Sequence, residues 1–195
     1  MIDWIQIHYF EVIAAIIGLA GVWLTTRQNI WCWPIGLVGV VLSMFVFFSA
    51  HLYYDFMLQI FYFFLTLFGW YNWTFGAKTT KEVPVTRLKM KTLGISLIMI
   101  VVSVVVLGWL AGKYTDAAIP YWDAFTTAAG IIVTYWMAKK YIEHWIAWVI
   151  IDIVCTGMYI YKELYAFTVL YFIFAILAIY GYFQWKKDLT TVATS

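Results

Sequence analysis

Charge is what this sequence has least of: Lys, Arg, Asp and Glu together make up 11% of its 195 residues, where an ordinary soluble domain carries about 25%. That scarcity, with 65% hydrophobic and 22% aromatic residues and a mean hydropathy of +0.87, excludes a soluble globular class. Cysteine is nearly absent. Cys32 and Cys155 both fall in stretches that read as helices, so no disulfide framework and no metal site is inferred. His8, His51 and His144 are scattered near predicted helix ends and form neither a metal set nor a catalytic dyad. The chain also lacks a phosphate-cradling Gly-rich loop, an H-E-x-x-H pattern and any Ser, His and Asp set brought together in sequence, which argues against an integral membrane enzyme. No Lys or Arg precedes Arg27, so no basic leader region is present and no cleavable signal peptide is expected.

What the chain has instead is a succession of apolar runs, approximately 9–25, 31–49, 55–75, 93–111, 121–138, 145–161 and 165–185. Each is long enough to cross a hydrocarbon core of about 30 Å. The fold class expected is therefore all-α integral membrane, with seven transmembrane helices; Pro34 fits the first turn of the second. The basic residues set the orientation. With the N-terminus outside and the C-terminus cytoplasmic, ten fall on the cytoplasmic side: Arg27, Lys78, Lys81, Arg87, Lys89, Lys91, Lys139, Lys140, Lys186 and Lys187. Only Lys113 and Lys162 fall outside. That partition is a strong positive-inside signal, and it accounts for the net charge of +2 without a nucleic-acid partner. The basic 76–91 loop reads as a topology determinant lying near anionic headgroups of the bilayer.

Sliding the sequence on itself by 112 residues superimposes Gly18 on Gly130, Trp33 on Trp145, Leu52-Tyr53 on Leu164-Tyr165, Gly69 on Gly181 and Trp73 on Trp185. Glu11 falls on Asp123, and Arg27-Gln28 on Lys139-Lys140. The chain therefore reads as a parallel 3+1+3 repeat. Residues 1–75 form repeat 1, 76–120 the basic loop with linker helix 4, 121–187 repeat 2, and 188–195 a cytosolic tail. Repeats of this kind are a recurring plan for transporters that hold cargo near mid-membrane. The copies differ at telling positions: Asp152 has Val40 as its mate, Trp148 has Gly36, and Gln59 has Tyr171. One asymmetric pocket is expected rather than two equal sites.

Helix 6 carries the pocket's main candidates. At about 100° per residue, Trp145, Trp148 and Asp152 lie within about 80° of arc. A carboxylate about 10 Å into the helix costs on the order of 2.5–3.5 kcal/mol and by default marks a functional site. A flat cation would offset that cost through its charge near Asp152 and a cation–π contact of about 0.5–2 kcal/mol with Trp148. The bland alternatives are an interhelical hydrogen bond for Asp152 and an interfacial belt role for Trp145, together with Trp31, Trp33, Trp70, Trp73, Trp136 and Trp185. Gln59 reads as a pocket donor or as glue between helices. Glu11 and Asp123 read as structural or gating partners, and Asp55 and Glu163 as solvated at the outer rim.

At these residues the sequence resembles the Pnu-type vitamin transporters, whose best-known members carry nicotinamide riboside. The resemblance covers essentially the whole chain and rests on "LYYDFMLQIFYFFLTLFGWYNW" at 52–73, "PYWDAF" at 120–125 and "YIEHWIAWVIID" at 141–152. It implies facilitated diffusion of a vitamin without ATP or a bound cofactor, a homotrimer in the cell (inner) membrane, and accumulation driven by a cytosolic vitamin kinase. Substrate-binding residues carried over by the resemblance are Trp145, Trp148, Asp152, Gln59 and, near helix 7, Tyr171. The nicotinamide riboside carriers have Asn where this chain has Asp152, a departure that tilts the expected cargo slightly toward thiamine. A proton-coupled carrier keeps the same fold and makes Asp152 a proton site.

Overall fold

A long run of apolar residues has one way to satisfy its own backbone away from water, which is to close every N–H on a carbonyl four residues back. The computed structural model describes residues 2–49, 51, 53–77 and 82–193, with side chains from 13 onward except those of 53–55 and 190–193. Lys78 and Lys81, and the side chains of His8, Glu11 and Asp55, lie outside the described residues. Seven α-helices follow in order: α1 (Ile2–Thr26), α2 (Cys32–Ser49), α3 (Tyr53–Phe75), α4 (Met90–Tyr114), α5 (Pro120–Ala138), α6 (Glu143–Tyr161) and α7 (Tyr165–Ala193). Buried hydroxyls are absorbed by the helices themselves. Thr25 donates to the Gly21 carbonyl at 2.9 Å, Thr66 to Tyr62 at 2.7 Å and Thr134 to Gly130 at 2.7 Å.

All seven expected helices are present, and among the described residues four of them, α2, α4, α6 and α7 as far as Leu189, are long and apolar enough to cross a membrane. In α1, whose side chains are described from Ile13, the stretch Ile13–Thr26 is apolar. α3 is diluted by Gln59, Thr66 and Asn72, and α5 by Asp123, Thr126, Thr127 and Thr134. α7 runs on past 185, so most of the expected 188–195 tail is helical. α5 opens on Pro120 in its first turn, where a missing N–H costs nothing.

Tight connections join the helices. Gln28, His51, Lys140 and Glu163 each adopt φ between 52° and 59°. At the end of α1, Gln28 N–H returns to the Thr25 carbonyl and Asn29 N–H to Leu24. At the end of α5, Lys140 N–H returns to Met137 and Tyr141 N–H to Trp136. This paired pattern closes a helix and reverses the chain.

The chain divides into two compact units, Met1–Val83 and Pro84–Ser195. In the first, α1 packs on α2 and α2 on α3. Trp33, 2% exposed, meets Trp73 edge-on with ring centroids 5.4 Å apart. In the second unit α4 packs on α5, α5 on α6 and α6 on α7. Trp136 fixes the first of these pairs by donating its indole N–H to Ser96 Oγ at 3.2 Å. The belt reading thus needs correction for Trp33, Trp73, Trp136, Trp145 and Trp185, all of which are buried. Each has a glycine, an aromatic ring or a hydroxyl to pack against on a neighbouring helix. Trp31 and Trp70 do stand exposed.

Candidate functional site

α6 owes its register to the turn before it. The Ile142 N–H is taken by the Thr86 carbonyl and His144 N–H returns to Tyr141, after which the helix runs unbroken to Tyr161. At about 100° per residue its inward stripe is Trp145, Trp148, Asp152, Cys155 and Tyr159.

Asp152 is 4% exposed. Thr156 Oγ1 donates to its backbone carbonyl at 2.7 Å, but among the described residues its carboxylate meets no hydrogen-bond donor and no cation. The bland alternative of an interhelical hydrogen bond is therefore without a partner among those residues. One turn earlier, half-buried Trp148 packs on a core cluster of Leu88, Ala129, Val133, Trp136, Ile151 and Cys155. Tyr171, from α7, packs on the same cluster and lies ring to ring with Tyr159 at 5.1 Å. Tyr159 in turn stacks on Phe167 at 5.3 Å and 25°. Three of the five sequence-derived residues, Trp148, Asp152 and Tyr171, thus belong to one aromatic wall of the second unit, with a desolvated carboxylate set in it.

Trp145 is held differently. It is 2% exposed, edge-on to Trp185 at 5.6 Å and 4.5 Å from the ring of His144, whose Nδ1 lies 2.7 Å from the Tyr141 carbonyl. Its ring is clasped between helices. Gln59 is half-buried in α3 of the first unit. Asp123 accepts from Lys162 Nζ at 2.9 Å, tying the first turn of α5 to the end of α6. Glu163 stands exposed.

Two residues of the wall were missed in the sequence, Cys155 and Tyr159. Tyr159 lies about 20° around the helix from Asp152, so carrying the arc two turns further finds it. A buried carboxylate beside aromatic faces can hold a small cation that is itself flat.

Residues 8–187 match the family described as nicotinamide mononucleotide transporter. The chain is 24% identical over 207 residues to the nicotinamide riboside transporter PnuC of Escherichia coli (strain K12), covering 92% of this chain and 86% of that protein. It is 28% identical over 185 residues to the riboflavin/roseoflavin transporter RibM of Streptomyces davaonensis, covering 92% and 85%. Among solved structures, the crystal structure of the vitamin B3 transporter PnuC shares the fold with a TM-score of 0.74 at 21% identity, over 94% of this chain and 83% of that one.

Proposed function

The chain belongs to the nicotinamide mononucleotide transporter family, and from that premise we propose that it carries nicotinamide riboside across the membrane by facilitated diffusion. At the coarser level it is a membrane vitamin transporter and not an enzyme. The observation that carries the cargo reading is the Asp152 carboxylate, 4% exposed and without a cation among the described residues. Nicotinamide riboside is a pyridinium: its charge answers the carboxylate and its ring answers the faces of Trp148 and Tyr171. Roles for Gln59 and Trp145 in binding are carried over from the family resemblance alone.

The wider assignment follows the same lines. A parallel 3+1+3 repeat is supported by the left-handed residues, which pair as Gln28 with Lys140 and His51 with Glu163 at an offset of 112. At that offset α1 and α5 end together at Thr26 and Ala138, while α3 and α7 begin together at Tyr53 and Tyr165. The edge-on pairs Trp33–Trp73 and Trp145–Trp185 correspond as well. An outside N-terminus and cytoplasmic C-terminus rest on the partition of basic residues. The homotrimer, the inner membrane and a cytosolic kinase that traps the arriving vitamin are carried over from the family resemblance.

Thiamine is the second reading, and the observation favouring it is Asp152 itself, standing where the resemblance expects Asn. The relatives described above are named for nicotinamide riboside and riboflavin, which lend it no support. Uptake into proteoliposomes decides. Nicotinamide riboside is expected to enter above empty controls and to be indifferent to protonophores. Uptake of thiamine alone would reverse the order of the two readings, a protonophore-sensitive rate would make Asp152 a proton site, and no uptake of nicotinamide riboside, thiamine or riboflavin would end the proposal.

A further inference from the structure

The segment leading into α4 is tied down. Thr86 pairs in parallel with Tyr141: its N–H donates to the Lys140 carbonyl at 3.1 Å and its carbonyl accepts from Ile142 N–H at 3.0 Å. Two residues on, Leu88 N–H donates to Glu143 Oε2 at 2.8 Å, across 55 residues of chain. Val85 is 2% exposed and Leu88 9%, and Leu88 joins the cluster on which Trp148 and Tyr171 pack. Residues 84–88 form a strap over the α5–α6 turn.

In the first unit the corresponding turn carries a local side-chain contact. There Trp31 N–H donates to Asn29 Oδ1 at 3.0 Å, a local closure. At the offset of 112 those two positions are Tyr141 and Glu143. Tyr141 offers no short side-chain acceptor, and Glu143 sends its carboxylate to the strap instead. The local side-chain contact gives way to a long-range one in the copy that carries Trp148 and Asp152.

The geometry points to Glu143 as a positioning residue for transport, resting on the reading of α6 as the cargo-binding helix. Its carboxylate anchors the strap, the strap fixes the first turn of α6 and seats Leu88 in the cluster, and together these set where Trp148 and Asp152 stand. Misplacing a binding group by about 1 Å is enough to weaken what it binds.

Two conservative variants separate reach from charge. Glu143→Asp keeps the charge and withdraws the acceptor by one methylene, whereas Glu143→Gln keeps the reach and a carbonyl acceptor but drops the charge. With the purified protein in phospholipid nanodiscs, Glu143→Asp is expected to speed amide exchange about tenfold both in 84–88 and in the first two turns of α6, the size expected for a lost charge-assisted hydrogen bond. It is also expected to raise the half-saturating nicotinamide riboside in tryptophan quenching by about tenfold, with maximal proteoliposome uptake within about twofold of the parent. Glu143→Gln is expected to lose less, about threefold in exchange and in half-saturation, because a neutral hydrogen bond is roughly half as strong as a charge-assisted one. The proposal is overturned if Glu143→Asp exchanges like the parent, if the strap loosens while α6 does not, or if Gln is the more damaging change. Should the parent bind no nicotinamide riboside, the cargo reading fails, while exchange in α6 still decides the role of the strap.

Discussion

Trp145 meets Trp185 edge to face, centroids 5.6 Å apart and planes at 88°, and its ring closes over Gly181 so tightly that a Cβ there would lie 2.6 Å from ring carbon Cζ2. Trp33 covers Gly69 in the same way, its ring filling the place a Cβ would take. The bare backbone of α7 is what lets α6 come this close.

Gly181→Ala is therefore expected to destabilise the protein by about 1–3 kcal/mol, the usual cost of forcing extra volume into a filled core, read as a fall in the Tm of detergent-purified protein. The loss shrinks when Trp145 is first shortened to Leu, because the two residues then no longer compete for one volume. Equal losses in both backgrounds would place the strain elsewhere.

How much of this was legible beforehand differs from residue to residue. Helix positions followed from run length, because the bilayer sets length directly. The five buried tryptophans were misread as belt residues because hydropathy reports depth along a helix and says nothing about which neighbour a side chain faces. Trp145 and Gly181 were each matched to a mate by the repeat, yet nothing in a linear offset says that they touch. Asp152 stood out because a carboxylate is costly in an apolar helix, whereas Cys155 and Tyr159 vanished into an apolar background that gives helical periodicity no contrast. The strap was hidden for the opposite reason: Arg87 and Lys89 mark the segment as a basic loop, which masks the buried Val85 before them and the buried Leu88 between them.

Asp152→Asn removes the charge and keeps the shape. Its half-saturating concentration for nicotinamide riboside is expected to rise if the carboxylate pairs with the pyridinium, by about tenfold for the loss of roughly 1.4 kcal/mol. Tryptophan quenching measures it. Tighter binding of nicotinamide riboside with weaker binding of thiamine would instead identify this position as the residue that chooses between the two vitamins.

Trp148 half-buries its ring on the core cluster, so a stacking role and a packing role predict different series. Trp148→Phe retains a π face and is expected to lose less cargo affinity than Trp148→Ala, which loses face and volume together. Equal losses would make the indole N–H the contact.

Ser96 accepts the buried indole N–H of Trp136 at 3.2 Å, and Ser96→Ala leaves that donor without its partner. The expected cost is about 1–3 kcal/mol, because an orphaned buried donor forfeits its full desolvation penalty. Adding Trp136→Phe removes the donor as well, so a double-mutant cycle on Tm reports a favourable coupling between the two positions. Simple additivity would mean that the hydrogen bond contributes nothing to holding α4 on α5.

Glu163 closes α6 with φ at 58°, exposed to solvent, its N–H bonded to the Ile160 carbonyl at 3.1 Å. A non-glycine residue in this region bears about 1–2 kcal/mol of strain, while glycine adds about 0.5–1 kcal/mol of unfolded-state entropy. The difference favours glycine. Glu163→Gly is expected to raise stability by about 0.5–1 kcal/mol, a gain of about 1–4 °C in Tm for a chain of this length. His51, the corresponding residue at φ 59°, serves as the matched test: His51→Gly should shift Tm in the same direction. A fall at both positions would mean that these side chains stabilise the turns by more than the backbone strain costs.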